Sequence, residues 1–160
     1  MQKSRIFGPI LLAVALSWIA ASPSRAAGCE DKIARHMLGE AVLAAQFVAA
    51  AEKNGMTTTG INGILSDIAN KSAVQEFWIT DSSGHAYLTN TGVDFTFSPD
   101  AKKQPQASAF WPLLTGAKQV VIQNARKREI DNQIFKYVGI AGVDKPRIVQ
   151  VGVAAANLCK

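Results

Sequence analysis

Five side chains of this sequence have the chemistry to bind a small organic anion. Tyr87 and Tyr137 each combine an apolar ring with one hydroxyl, and Trp111 adds a large apolar surface. Arg126 and Lys136 supply positive charge, and a guanidinium in a partly dry pocket can hold a carboxylate through two parallel hydrogen bonds. We predict that these five residues line one ligand site.

Each of these residues also has an ordinary structural interpretation. The three aromatic side chains could be half-buried members of a hydrophobic core. The basic run at residues 126–128 could be the solvated end of a strand. Within that run, Arg126 is favoured over Lys127 and Arg128 as the anion contact. Replacing Arg126 by alanine is therefore expected to lower the affinity for a carboxylate without unfolding the protein.

The sequence carries no arrangement of residues that is typical of an enzyme. Its two histidines, His36 and His85, have no matching Ser or Cys motif, and no GxSxG, HExxH or Gly-rich phosphate loop is present. His36 precedes Glu40 by four residues, which predicts a solvated helix pair, with a haem or metal ligand as the alternative. The lack of CxxCH excludes a covalent c-type haem. We predict a non-catalytic protein without a cofactor or metal.

The first 27 residues have the layout of a secretory signal peptide. Lys3 and Arg5 precede an uncharged apolar stretch over residues 6–21, and Pro23 and small residues at 24 and 26 follow. The stretch is shorter than the about 20 residues of a membrane span. The sequence therefore predicts export to the periplasm and a single mature domain over residues 28–160 with no membrane span.

Loss of that segment changes the charge of the protein. The full chain has a net charge of +5, but Lys3, Arg5 and Arg25 leave with the signal peptide. The remainder has 14 basic and 12 acidic residues, a net charge of +2. This balance does not favour a nucleic-acid-binding surface.

The two cysteines, Cys29 and Cys159, lie at opposite ends of the predicted mature chain. In an oxidising compartment such a pair can form and keep a disulfide, which is the favoured interpretation. The alternative is a lipid anchor on Cys29, because residues 26–29 resemble a degraded lipoprotein acylation site.

The pattern of apolar residues predicts an α+β domain. Apolar residues at helical spacing indicate a long helix from Glu30 to Lys53 and a shorter one after the threonines at 57–59. Alternation then indicates five antiparallel strands, joined by turns and by an irregular segment over residues 91–114. The predicted strands cover residues 76–81, 85–90, 120–128, 133–141 and 147–154.

This order of elements resembles the PAS-like extracytoplasmic sensor modules called single Cache domains. The resemblance is carried by residues 77–81 with Gly84 and Tyr87, and by the last hairpin over residues 135–144 and 146–152. It implies a five-stranded antiparallel sheet with the long N-terminal helix on one face. It also implies a sensory role in signal transduction or chemotaxis, through a small ligand such as a carboxylate.

Family members usually lie between two membrane helices of a receptor. No second membrane helix follows the last strand here, so the resemblance implies a free-standing module that acts with a membrane receptor or as a homodimer. The ligand would bind between the sheet and residues 91–114. The alternative is a partner-docking or dimerisation protein that uses the sheet without any small ligand.

Overall fold

The computed structural model describes the backbone of residues 24–158, with side chains from residue 28 onward. The predicted signal peptide therefore lies almost wholly outside the described residues, and so does Cys159. Within residues 24–158, no helix is long and apolar enough to cross a membrane.

Two helices open the described chain. Helix α1 spans Ser24–Lys53 and begins before the predicted start at Glu30. Its predicted stripe is buried at Met37, Ala41 and Val48. Helix α2 spans Thr58–Lys71, and its N-cap hydroxyl belongs to Thr57, which accepts a hydrogen bond from the backbone of Gly60 at 3.2 Å.

Six strands lie within the described residues: β1 (Glu76–Thr80), β2 (Ala86–Thr89), β3 (Val120–Ile122), β4 (Arg126–Lys127), β5 (Ile134–Ala141) and β6 (Ile148–Ala154). They form one antiparallel sheet in the spatial order β2-β1-β6-β5-β3, and β4 also pairs with β5. Strand β1 pairs with β6, so the first hairpin joins the last one through the middle of the sheet. This α+β architecture is consistent with a PAS-like fold.

The predicted strand over residues 120–128 is broken in two, which explains why the sheet has six strands and not five. The backbone N–H of Gln123 still donates to Tyr137 on β5 at 3.0 Å. Two residues later, the N–H of Ala125 donates instead to the Glu30 carboxylate at 2.9 Å. The Ala125 N–H thus bonds to α1 and not to β5, and pairing with β5 resumes only at Arg126.

A separate hydrophobic core covers each face of the sheet. Phe77 and Ile79 lie in the core with α1, whereas Trp78 lies in the opposite core, because consecutive residues of a strand point to opposite faces. Phe97, Phe110 and other apolar residues of the segment between β2 and β3 cover this second face. The segment contains a 3₁₀ turn (Ala107–Phe110) and the short helix α3 (Trp111–Leu114), and we call residues 95–114 the cover.

Candidate functional site

The space between the sheet and the cover is almost completely filled. A cavity of about 10 Å³ remains there, with Trp78, Phe95, Gln106 and Tyr137 among its walls. This volume holds at most about one water molecule. A small organic ligand could enter only if the cover or the neighbouring turn moved.

A buried guanidinium, Arg128, is the centre of the polar groups beside this cavity. Its Nε and Nη2 donate to the two carboxylate oxygens of Asp131 at 2.7 and 2.6 Å. Its Nη1 donates to Glu76 at 2.5 Å, and its Cζ lies 4.0 Å from the centre of the Phe135 ring. These hydrogen bonds, first those to Asp131, raise the pKa of Arg128 and lower the pKa of Asp131 to about 2. The Arg128 guanidinium therefore already forms two parallel hydrogen bonds to one carboxylate, that of Asp131.

Tyr137 completes this buried polar centre. Its hydroxyl donates to Glu76 Oε2 at 2.9 Å and accepts from Arg128 Nη1 at 3.0 Å. Burial, together with the charge of Glu76, raises the pKa of Tyr137. The ring lies across Gly152 of β6, where a Cβ would stand only 2.4 Å from the ring carbon Cε1. A glycine at residue 152 is thus required for this placement.

Three buried glutamines line or adjoin the same cavity. Gln106 of the cover donates to Gln123 Oε1 at 2.8 Å, and Gln123 Nε2 returns a bond to the Gln106 carbonyl at 3.0 Å. Gln150 Nε2, by contrast, is buried and has no hydrogen-bond partner among the described residues. Buried polar groups nearly always have a partner. Gln150 therefore offers an unused donor in the wall of the cavity.

The structure does not bring the five predicted site residues together. Tyr137 lies in the polar centre, and Trp111 lies on the cover, where its ring packs over Gly84. Arg126 is exposed at the edge of the sheet. Lys136 directly precedes Tyr137 on β5, and it points to the opposite face of the sheet because consecutive residues of a strand do so.

Lys136 and Tyr87 serve the opposite, helix-covered face. Lys136 is buried and donates to Glu30 of α1 at 3.0 Å, which helps to lower the pKa of Glu30 after the larger effect of the Ala125 backbone. The Tyr87 hydroxyl donates to Glu52 and accepts from Arg147 at 3.0 Å. Both residues therefore attach α1 to the sheet. The structure therefore does not bring these two side chains to the space under the cover.

Sequence reasoning missed Arg128, Glu76 and Asp131. The sequence favours Arg126 over Lys127 and Arg128 as the anion contact, whereas in the structure Arg128 is the buried residue of this basic run. A signal was present, since Arg128 and Asp131 have the i, i+3 spacing of a side-chain pair across a turn. No local pattern links Glu76 to Arg128, because 52 residues separate them.

The described residues include Cys29, His36 and His85, but not Cys159. Cys29 Sγ lies 3.7 Å from the carbonyl oxygen of Leu158, the residue before Cys159. The pairing with Cys159 lies outside the described residues and stays a prediction. His85 Nε2 lies 3.0 Å from Asp94, and His36 is exposed on α1. Among the described residues, no three His, Cys, Asp or Glu side chains are grouped as a metal site.

No family model and no curated protein matches this chain. The assignment to single Cache domains therefore stays a prediction, which rests on the order of the elements and on the two hairpin motifs.

Proposed function

We propose that this protein is an exported, non-catalytic sensory module that binds a small organic anion and acts with a partner in signal transduction. The observation that carries the proposal is the pair of parallel hydrogen bonds from Arg128 to Asp131. This pair lies beside a cavity with aromatic walls, in which Gln150 Nε2 has no hydrogen-bond partner among the described residues. A PAS-like sheet with one face closed by a long irregular segment is a suitable frame for such a site.

In this proposal Asp131 holds the place of the ligand carboxylate. Its side chain is 32% exposed, against 9% for Arg128, so the carboxylate is at the entrance and the guanidinium is inside. A ligand carboxylate that displaces Asp131 keeps both hydrogen bonds to Arg128. Tyr137 and Gln150 line the adjoining cavity, and they would contact the rest of a small ligand once the cover moves aside.

Ligand entry would move two segments together. Glu129 on the turn accepts hydrogen bonds from the backbone N–H groups of Gln106 and Ala107 on the cover, the second at 3.1 Å. Displacing Asp131, two residues later on the same turn, would therefore also pull on the cover. This coupling supplies a shape change that a receptor or a second copy of the protein could detect.

The proposal is tested by calorimetric titration with propionate, lactate and succinate. Asp131→Asn should bind at least one of these acids about tenfold more tightly than wild type, because the competing carboxylate is removed. Arg128→Gln should abolish that binding, and the exposed Arg126→Gln is the matched control that should not change it. If Arg126→Gln loses affinity and Arg128→Gln does not, Arg126 and not Arg128 is the anion contact. Asp131→Asn that binds no acid would contradict the proposed site.

A second candidate function is docking of a partner or of another copy without any small ligand. Val120, Ile122 and Ile134 expose apolar side chains at the β3 end of the sheet, where an added strand could pair. In that case sedimentation would show concentration-dependent association, and none of the acids would raise the melting temperature.

A further inference from the structure

Two cavities on the helix-covered side of the sheet share one acidic residue, Glu40. The larger has a volume of about 470 Å³ and lies between α1, α2 and β1. The smaller, about 230 Å³, lies nearer the start of α1, beside Ile33 and Met37. Glu40 lines both. We call the larger cavity the Glu40 groove; its other walls are Leu43, Ala44, Phe47, Ile68, Ser72 and Phe77.

The carboxyl of Glu40 is poorly accommodated by the protein itself. Its Oε2 atom is buried and has no hydrogen-bond partner among the described residues. Burial raises the pKa of Glu40, and the nearby His36 only partly offsets this effect. An unsatisfied buried carboxyl destabilises a fold, so its presence here needs an explanation beyond packing.

The groove around Glu40 is apolar and open to solvent on one side. Leu43 is 70% exposed, and Ile68 is also exposed at the opposite wall. A volume of this size is within the range of pockets that bind small molecules. The groove therefore has room for an apolar body, with the Glu40 carboxyl in its wall.

We propose that the Glu40 groove binds small amphiphiles that have an apolar chain or ring and a protonated amine head, with the ammonium donating to Glu40 Oε2. A carboxylate can only accept hydrogen bonds, and a partly buried one is best compensated by an opposite charge. A ligand carboxylate would be repelled by Glu40, and a neutral hydroxyl would leave its charge uncompensated. This site lies on the opposite face of the sheet from Arg128, and it does not depend on the proposed anion site.

The head-group preference is tested with three probes that share one tail: octylamine, octan-1-ol and octanoate, titrated calorimetrically into the protein. We expect octylamine to bind at least tenfold more tightly than octan-1-ol, and octanoate to bind most weakly. Glu40→Gln should remove the preference for octylamine over octan-1-ol. Equal affinities for all three probes, or no binding of octylamine, would overturn the proposal.

The location of the amine site is tested by substitutions at two neighbouring residues of α1, Val42 and Leu43. Leu43→Ser should weaken octylamine binding, because Leu43 lines the groove. Val42→Ser is the matched control, since Val42 is also exposed but is not part of the wall. If Leu43→Ser instead abolishes self-association and octylamine never binds, the groove is an interface between copies of the chain and the proposal is wrong.

A stability measurement separates a binding role from a structural one. Glu40→Leu should raise the melting temperature, because it removes an unsatisfied buried oxygen and fills apolar space. A clear fall in the melting temperature would show that Glu40 supports the fold, and this would count against the proposed role.

Discussion

At the residue scale, a second polar cluster is centred on Arg147. Its Nη2 donates to Glu52 at 2.7 Å and to Asp144 at 2.8 Å, and its Nη1 donates to the Tyr87 hydroxyl. Glu52 also pairs with Lys145 at 2.8 Å. Glu52, near the end of α1, thus connects this helix to the β5–β6 turn through Arg147 and Lys145, and to β2 through Tyr87.

The cluster predicts a defined loss of stability in acid. Burial alone would raise the pKa of Glu52, but the hydrogen bonds from Arg147, Lys145 and Tyr87 outweigh it and lower this pKa to about 2. The stabilisation is therefore complete above the ordinary glutamate pKa of 4.5 and is lost as the pH falls toward 2.

We expect Glu52→Gln to lower the free energy of unfolding at pH 7 and to reduce its fall between pH 5 and pH 2. Urea unfolding at several pH values measures both effects. Asp67→Asn is the control, because Asp67 pairs with Lys71 on the exposed face of α2, where ion pairs contribute little. A pH dependence in Glu52→Gln identical to that of wild type would show that the cluster does not link protonation to folding.

At the scale of elements, the start of α2 depends on a local cap. The Thr57 hydroxyl satisfies the N–H of Gly60, one of the donors that the first turn of a helix leaves unpaired. Three threonines at residues 57–59 predicted a cap at this place, and the structure selects the first of them.

Thr57→Ala should therefore destabilise the protein by about 1 kcal/mol, the usual cost of losing an N-cap side chain. Thr59→Ala is a matched control inside α2, and it should be neutral or slightly stabilising because alanine favours helix more than threonine does. Chemical denaturation of the two variants makes the comparison. Equal effects of the two substitutions would argue against a specific cap at Thr57.

At the scale of the whole molecule, the two ends of the described chain lie side by side. Cys29, near the start of α1, is next to Leu158, which follows β6. A disulfide between Cys29 and Cys159 would close residues 29–159 into one loop. In the chain-entropy model a loop of this length stabilises by roughly 4–5 kcal/mol.

We expect Cys29→Ser and Cys159→Ser to cause the same loss of stability, and the double variant to lose no more than either one. When the protein is expressed with export to an oxidising compartment, its intact mass should be lower than that of the reduced form by two hydrogen atoms. A mass increased by a lipid would identify the anchored alternative instead. Unfolding that is unaffected by a reductant would contradict the disulfide.

The sequence by itself determined the elements and the faces of this protein, because these follow from short-range periodicity. The helical stripe of α1, the cap of α2 and the opposite orientations of Phe77 and Trp78 all depend on neighbours a few residues away. The same rule places Lys136 and Tyr137 on opposite faces of the sheet, since they are consecutive residues of one strand.

Only the tertiary structure decided which distant groups meet. Glu30 interrupts the strand before Arg126 from 95 residues earlier in the chain, and Glu76 reaches Arg128 because β1 pairs with β6 in the middle of the sheet. The sequence also did not predict the small volume of the cavity under the cover, since this volume depends on how side chains from several elements fill one space. Contacts over such separations are set by the packing of the whole sheet, and no local pattern of residue types encodes them.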